Sequence, residues 1–346
     1  MMQGFRLVKP MNQDAKSFTA RRLGKTGPSV FPISLGCMGM SGMYGACDER
    51  ESIATIHAAI ERGVNLLDTG DFYGQGHNEM LIGRALREGN IARDRVLLSV
   101  KFGGLRAPDG AFIGMDTRPV AIKNFVGYSL KRLGVDYIDI YRPARLDPNV
   151  PIAETVGAIA DLIKAGYVRH LGLSEIGVDT LKRAHAVQPI VDLQIEYGIV
   201  SRGPEARILP ALEETGSALT AYGVLSRGLL TGAKPSGPGD FRAHLPRFSG
   251  DSMAKNQRLI DALNAIARDK RVTPAQLCIA WALAKSPRIV PVIGSRTRKQ
   301  LEDTLAAVSV QLSGDEIKAL EAAVPAEAIA GTRYDSGQMA LLDSER

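Results

Sequence analysis

The sequence has few cysteines, few aromatic residues and no long apolar run. Its 346 residues include only three cysteines, and no two of them have C-x-x-C spacing. This argues against both a disulfide framework and a zinc site, and we predict no bound metal. No apolar stretch approaches the roughly 18 residues of a membrane span, and the first residues lack the apolar core of a secretion signal. We therefore expect a cytoplasmic protein with no membrane partner.

The sequence also lacks the common glycine-rich nucleotide motifs. A Rossmann fingerprint needs G-x-G-x-x-G after a first strand. The nearest match, over residues 74–79, has Glu79 at the third glycine position and follows a second predicted strand. A P-loop is excluded because Gly24-Lys25-Thr26 has no glycine upstream at the required spacing. A nucleotide, if bound, must therefore be held in another way.

The charge balance is basic, but the pattern is not typical of nucleic-acid binding. The net charge is +6, and the basic residues are scattered except for Arg296, Arg298 and Lys299. No recognition motif accompanies them, so an anionic small ligand such as a phosphorylated cofactor fits better. No linker-like segment divides the chain. We predict one domain over residues 18–346, preceded by a flexible arm over residues 1–17.

Short apolar runs alternate with longer amphipathic segments along the whole chain. Strands alternating with helices indicate a parallel sheet, and eight such units are typical of a (β/α)8 TIM barrel in the α/β class. Two short runs around Lys25-Thr26-Gly27 predict an N-terminal β-hairpin that caps one mouth of the barrel. The irregular stretches are predicted over Gly103–Thr117 and Thr231–Gly250. The predicted barrel strands are Ile33–Leu35, Asn65–Leu67, Val96–Val100, Tyr137–Tyr141, His170–Leu173, Leu193–Ile195, Leu219–Tyr222 and Ile289–Ile293. The predicted helices include Pro119–Leu133, Ile152–Lys164 and Pro274–Lys285.

Polar side chains follow the predicted strands, where the catalytic residues of parallel barrels lie. Asp68 ends the second strand and Lys101 the third, with Tyr73 five residues after Asp68. An unpaired charge beside a core costs roughly several kcal/mol, so we expect Asp68 and Lys101 to face each other. Such a pair beside Tyr73 can make a proton donor, although a purely structural ion pair is the alternative.

The motifs GCMGM, LLDTGDFYGQGHNE, SVKFG, LKRLGVDYIDIY, LQIEY, AYGVLSRGLLTG and IVPVIGSR occur in this order between Arg21 and Ala307. Together they resemble the aldo-keto reductase superfamily. The resemblance implies a (β/α)8 barrel that uses NADPH, without a Rossmann motif, to reduce a small aldehyde or ketone. It also places Asp68, Tyr73 and Lys101 on three members of the catalytic tetrad of that family.

The resemblance further implies a set of cofactor-binding residues. Ser174, Glu175 and Gln194 would hold or adjoin the nicotinamide carboxamide, and Tyr222 would stack on the ring. Arg296 would meet the 2′-phosphate and favour NADPH over NADH. The full predicted set is Gly39, Met40, Ser174, Glu175, Gln194, Tyr222, Gly223, Val224, Leu225, Arg227, Gly228, Gly294, Ser295, Arg296, Gln300 and Asp303.

The same resemblance predicts how the tetrad residues act. Tyrosine has an ordinary pKa of about 10, and we expect Lys101 to lower the pKa of Tyr73 so that it can protonate a carbonyl oxygen. Asp68 would keep Lys101 charged and oriented. General acid help of this kind is worth about 10²–10⁴-fold in rate.

The sequence departs from the family where a histidine is expected before Arg-x-Asp, because Ala144 occupies that position. Three interpretations follow. In the first, Tyr73 alone donates the proton and another group, for which we name Arg142, binds and orients the substrate. Alternatively, the substrate brings its own hydrogen-bonding groups. In the third, the chain binds NADPH as a sensor or regulatory subunit with little turnover. The segment Leu173–Ile190 and the Pro-Ala-Arg stretch most resemble the pyridoxal reductase branch, and the sequence leaves any oligomeric state open.

Overall fold

The computed structural model describes residues 18–237 and 239–346, so the predicted arm lies outside the described residues. Eight parallel strands form a closed barrel in the spatial order β10-β11-β12-β3-β4-β5-β8-β9. Each predicted strand overlaps one of them, and the predicted (β/α)8 barrel is confirmed. The barrel strands are β3 Ser34–Gly36, β4 Leu66–Gly70, β5 Leu97–Phe102, β8 Ile138–Pro143, β9 Val168–Ser174, β10 Ile190–Glu196, β11 Ala218–Tyr222 and β12 Ile289–Gly294.

The predicted N-terminal hairpin is also present. Strand β1 Arg21–Arg22 pairs antiparallel with β2 Ser29–Val30. Leu23 and Val30 are buried in a small apolar cluster with residues from the amino-terminal halves of the barrel strands, Leu66 among them. The hairpin therefore closes the end of the barrel opposite the predicted active site.

Most helices follow a barrel strand and bury an apolar face in the protein interior, whereas the short helix Ser336–Ala340 has no buried residue. Their ends carry ordinary caps: the Thr273 hydroxyl accepts from the Gln276 N–H ahead of Pro274, and Gly134 ends its helix at φ 69°, where glycine is favoured. The helices are α1 Glu49–Glu61, α2 His77–Glu88, α3 Pro119–Leu133, α4 Ile152–Lys164, α5 Val178–Val187, α6 Ile208–Thr215, α7 Gly250–Asp269, α8 Pro274–Lys285, α9 Arg298–Ala306, α10 Gly314–Ala323 and α11 Ser336–Ala340.

The two stretches predicted to be irregular contain short elements. Residues 103–117 form a second hairpin, in which β6 Gly104–Arg106 pairs antiparallel with β7 Phe112–Met115. Residues 231–250 contain the 3₁₀ turns Phe241–His244 and Pro246–Phe248. These elements have three or four residues each, and β6 and β7 are not fully buried, so they lack the buried periodicity from which strands are predicted.

No helix in the described ranges is long and apolar enough to cross a membrane. Among the same residues, no group of three or more His, Cys, Asp or Glu side chains is arranged to hold a metal ion.

The Asp71 carboxyl is buried beside the Tyr73 segment and contributes to pH-dependent stability. Its Oδ1 has no hydrogen-bond partner in the protein, and burial, together with the nearby Glu79 carboxylate, raises its pKa to about 8. In the unfolded chain the Asp71 carboxyl has the ordinary aspartate pKa of about 3.9. Between these two values the folded protein holds a proton that the unfolded chain releases, so rising pH favours unfolding.

Replacing Asp71 with asparagine is therefore expected to stabilise the fold at pH 8 by at least about 2 kcal/mol and to give a much smaller gain at pH 5. Urea unfolding at the two pH values measures the difference. Asp315→Asn is a matched control because the Asp315 side chain is 98% exposed. An Asp71→Asn effect that is the same at both pH values would contradict the buried, protonated state of Asp71.

Candidate active site

A cavity of about 490 Å³ opens at the carboxyl ends of the barrel strands. Residues at the ends of seven strands line it, and loops and the C-terminal segment complete its walls. Its volume lies within the roughly 300–1,000 Å³ typical of small-molecule sites. The strand-end residues are Gly36, Asp68, Lys101, Ser174, Gln194, Tyr222 and Gly294.

Asp68, Lys101 and Tyr73 meet in this cavity. Neighbouring strands β4 and β5 place Gly70 opposite Lys101, and the Lys101 Nζ donates to Asp68 Oδ1 at 2.5 Å. Asp68 Oδ2 accepts from Ser99 Oγ at 3.0 Å and from Gln194 Nε2 at 2.8 Å. The Lys101 Nζ lies 5.3 Å from the centroid of the Tyr73 ring. The ion pair is thus held from several strands beside the phenol.

The pKa values of Lys101 and Tyr73 are set first by burial. Burial lowers the pKa of Lys101, and Asp68 opposes that effect. Burial raises the pKa of Tyr73 well above its usual range, and the Asp68 carboxylate raises it further, while Arg145 acts in the opposite direction. The expected lowering of the Tyr73 pKa is therefore not what this structure shows. The phenol keeps its proton at neutral pH, which is the state that a proton donor requires.

Most of the predicted cofactor residues line the cavity. The Ser174 Oγ is buried and has no hydrogen-bond partner in the protein, so it is available to a ligand. The Tyr222 hydroxyl donates to Glu175 Oε1 at 2.7 Å, which fixes the ring at the cavity wall. The lining residues of the predicted set are Gly39, Ser174, Gln194, Tyr222, Gly223, Val224, Leu225, Arg227, Gly228, Gly294, Arg296, Gln300 and Asp303.

The loop after β11 is held in an uncommon backbone conformation. Ser226 and Arg227 have φ values of 47° and 55°, which side chains other than glycine adopt at a cost of about 1–3 kcal/mol each. The Arg227 guanidinium pairs with Glu196 at 2.8 Å, and this buried contact holds the loop in place. Strain of this kind concentrates at ligand-binding segments.

The Arg296 end of the cavity carries a guanidinium without an acidic partner among the described residues. Arg296 donates to the Tyr44 carbonyl at 3.0 Å, and its N–H donates to Gln300 Oε1 at 2.8 Å. A Cβ at Gly39 would lie 3.2 Å from Arg296 Cγ, so glycine lets the side chain pass. Arg298, by contrast, pairs with Glu51 at 2.9 Å and is 60% exposed.

Three predicted cofactor residues do not line the cavity. Met40 packs in the main apolar core, and the Ser295 hydroxyl faces Thr304 at 3.3 Å. Glu175 is fully buried beneath the C-terminal segment. The side chains of these three residues are engaged inside the protein, so their predicted contacts with a cofactor stay predictions.

Arg142, predicted to bind the substrate, is not in the cavity either. It is fully buried in the barrel interior and pairs with Asp192 at 2.9 Å, where both side chains have zero exposure. It also donates to Ser99 Oγ at 3.0 Å, and Ser99 in turn donates to Asp68. The prediction of direct substrate contact is therefore wrong, and Arg142 is a buried support beneath the Asp68–Lys101 pair.

The C-terminal segment is fastened over the site by Arg333. Its guanidinium donates to both carboxylate oxygens of Glu175, at 2.9 and 2.8 Å. Hydrogen bonding and charge from Arg333 overcome the effect of burial and lower the pKa of Glu175 to about 2. The contact therefore persists through the neutral pH range and is lost only as the pH falls toward 2, below the ordinary carboxyl value. It brings the adjacent Tyr334 into the cavity wall.

Sequence reasoning missed part of the lining. Arg145 follows the fourth barrel strand but was assigned no role from the sequence, and the lining residues of the hairpin β6–β7 and of the C-terminal segment lie in no recognisable motif. Charge directly after a strand was the available signal for Arg145. Ala144 also lines the cavity, so the position of the missing histidine does face the site. The lining residues that were not predicted lie in the hairpin β6–β7, after β8 and in the C-terminal segment, and they include Arg106, Phe112, Met115, Arg145, Tyr334, Gln338 and Leu341.

Comparison with known proteins shows the family to which the chain is similar. The model of the aldo/keto reductase family matches residues 32–325. Probable aldo-keto reductase 1 of Glycine max is 35% identical over 324 residues, which cover 91% of this chain and 92% of the relative. A second relative, from Schizosaccharomyces pombe, is named aldo-keto reductase yakc [NADP(+)]. It is 35% identical over 328 residues, which cover 93% of this chain and 96% of the relative.

Solved structures are similar over the same region. The glycerol dehydrogenase AKR11B4 from Gluconobacter oxydans has a TM-score of 0.78 at 27% identity, covering 88% of this chain and 94% of that one. The holo form of aldo-keto reductase AKR11C1 from Bacillus halodurans has a TM-score of 0.74 at 27% identity, covering 90% and 97%. Sequence and fold thus agree across the barrel.

Proposed function

The chain belongs to the aldo/keto reductase family, and we propose on that premise that its cavity uses NADPH to reduce a small aldehyde or ketone. The observation that carries the proposal is the Asp68–Lys101 pair beside the Tyr73 phenol, inside a cavity. A buried lysine and a protonated tyrosine together supply a proton donor and a charge that stabilises the donor after transfer. No comparable arrangement is needed for a purely structural barrel.

Residues of the cavity fit NADPH at both ends. The unpartnered Ser174 Oγ suits a carboxamide, and the Tyr222 ring offers a stacking surface. At the other end the Arg296 guanidinium, without an acidic partner among the described residues, suits a phosphate. When bound, NADPH supplies the hydride, which is the cofactor's own chemistry.

Tyr73, Lys101 and Asp68 supply the proton and stabilise the charge that its transfer leaves. The carbonyl carbon of the substrate receives a hydride with its electron pair, and the carbonyl oxygen takes the Tyr73 proton, so an aldehyde leaves as an alcohol. Lys101 stabilises the phenolate that remains, and Asp68 keeps Lys101 charged and in place. Tyr73 then regains a proton from solvent. Each turnover consumes one proton and oxidises one NADPH to NADP⁺.

Pyridoxal is the specific substrate that we propose. The Ala144 position supplies no hydrogen-bond donor from a side chain, and pyridoxal brings a phenolic oxygen and a ring nitrogen in addition to its aldehyde. A substrate with its own polar groups compensates for the missing histidine.

Initial rates of NADPH oxidation with pyridoxal and with benzaldehyde test this choice. We expect a higher kcat/KM for pyridoxal. An equal or lower value would contradict the pyridoxal assignment while leaving carbonyl reduction intact. Tight NADPH binding with no turnover of any aldehyde would instead contradict the proposed reductase activity and favour a sensor or regulatory role.

A further inference from the structure

Besides Arg296, two arginines that line the cavity have no acidic partner among the described residues. Among the described residues, no carboxylate lies within ion-pairing distance of Arg106 or Arg145. Two other cavity arginines are neutralised: Arg227 by Glu196 at 2.8 Å and Arg242 by Asp240 at 2.7 Å. A cation next to a core without a counter-charge is costly. Like Arg296, Arg106 and Arg145 therefore differ from the ion-paired arginines of the cavity.

The contacts of Arg145 are all with neutral groups. Its Nη1 donates to the Ala144 carbonyl at 2.6 Å and its Nη2 to the Tyr334 hydroxyl at 3.3 Å. The guanidinium carbon lies 5.7 Å from the centroid of the Tyr334 ring. Glu175 is a nearby carboxylate, but Arg333 and Tyr222 already bond to it. Arg145 is thus oriented by neutral neighbours, and the nearby Glu175 carboxylate is shared with Arg333.

Arg106 approaches the same region from the hairpin β6–β7. Its Nη1 donates to the Gly110 carbonyl at 3.1 Å, and its guanidinium carbon lies 5.8 Å from the Phe72 ring and 5.9 Å from the Phe112 ring. Both rings line the cavity together with Met115. This wall is therefore aromatic and apolar, with a cation at its edge.

Both guanidiniums act electrostatically on the reacting phenol. The charge of Arg145 lowers the pKa of Tyr73, against the larger effects that raise it. Ionisation of Tyr73 would in turn raise the pKa of Arg106. The geometry agrees: the Phe72 ring beside Arg106 packs on Tyr73 with centroids 5.0 Å apart, and Arg145 lines the same cavity as Tyr73.

The carboxylates that line the cavity do not offset these cations. Asp68 is paired with Lys101. Asp303 accepts from Gln276 at 2.7 Å and from Thr273 at 3.0 Å, and it lies on α9 near the Arg296 end. The substrate half of the cavity therefore combines apolar rings with two arginines that form no ion pair with a described residue.

We propose that Arg106 and Arg145 bind an anionic group of the substrate, so that the enzyme prefers aromatic aldehydes or ketones that carry a carboxylate or another oxyanion. The inference rests on the proposed reductase function and narrows its substrate class. The anionic group is not changed by the reaction, in which the carbonyl carbon gains a hydride from NADPH and the oxygen gains a proton. Pyridoxal, whose phenol lies ortho to its aldehyde, is one member of this class.

Kinetics with 4-carboxybenzaldehyde and its uncharged methyl ester test the preference. We expect the carboxylate to be favoured in kcat/KM by about tenfold or more, because hydrogen bonds between a guanidinium and a carboxylate are roughly twice as strong as neutral ones. Arg106→Met and Arg145→Met should each lose most of that preference and still reduce the ester. Arg118→Met is the matched control, because Arg118 is 66% exposed and pairs with Asp116.

Calorimetric binding in the presence of NADP⁺ separates this inference from the reductase function. The probes are 4-(hydroxymethyl)benzoate and 4-(hydroxymethyl)benzamide. Tighter binding of the benzoate, lost in Arg106→Met and Arg145→Met, supports the anion site even if no aldehyde is turned over. Equal binding of the two probes, or equal kcat/KM for the acid and its ester, would overturn it.

Discussion

Replacing Tyr73 with phenylalanine is expected to lower kcat by about 10²–10⁴-fold, the usual contribution of general acid catalysis. The substitution removes only the hydroxyl group, so the ring packing against Phe72, with centroids 5.0 Å apart, is retained. The Asp68–Lys101 pair also remains in place. Steady-state NADPH oxidation with the preferred aldehyde measures the loss.

Two controls make the Tyr73→Phe result specific. NADPH affinity, followed by quenching of protein fluorescence, should not change, because the lost hydroxyl acts on the substrate oxygen. Tyr128→Phe should keep full activity, since Tyr128 is exposed on α3. A Tyr73→Phe enzyme as active as the wild type would remove Tyr73 from the role of proton donor.

Replacing Arg142 with methionine is expected to destabilise the fold by about 3–5 kcal/mol, because it leaves the Asp192 carboxylate buried without its partner. Both side chains of the pair have zero exposure. Thr220 Oγ1 also donates to Asp192, at 2.5 Å, and one hydroxyl does not replace a guanidinium. Urea unfolding of the variant and the wild type measures the difference.

The double variant Arg142→Met/Asp192→Asn separates stability from substrate binding. Removing both charges should recover most of the lost stability, and KM for the aldehyde should stay near the wild-type value because Arg142 does not line the cavity. A large rise in KM in the stable double variant would contradict this position of Arg142 and restore direct substrate binding.

The barrel could be predicted from the sequence because its strands are short, buried and regularly spaced. Three helices were predicted with the observed bounds. Proline marks the start of Pro119–Leu133 and of Pro274–Lys285, and the apolar residues of Ile152–Lys164 recur with a clear helical period. The hairpin β6–β7 could not be predicted in this way. Its strands are partly exposed, and their pairing depends on the cavity wall behind them.

The candidate site was predictable to the extent that strand ends define it. Asp68 and Lys101 follow buried runs, and their pairing follows from the cost of unpaired charge. The sequence does not predict in which direction a side chain at a strand end points. Arg142 and Arg145 are three residues apart, yet one is buried under the site and the other lines it. Tyr334 is more than 180 residues from Arg145, and no local pattern connects them.

The most direct test of the account is the transfer of deuterium from NADPH labelled at both positions of nicotinamide C4. With wild-type protein and 4-carboxybenzaldehyde, mass spectrometry of the product should show one deuterium on the alcohol carbon, formed at the rate of NADPH oxidation. Tight binding of labelled NADPH with no deuterated alcohol from this or any other aldehyde, including pyridoxal, would contradict the central claim that the cavity reduces carbonyl groups.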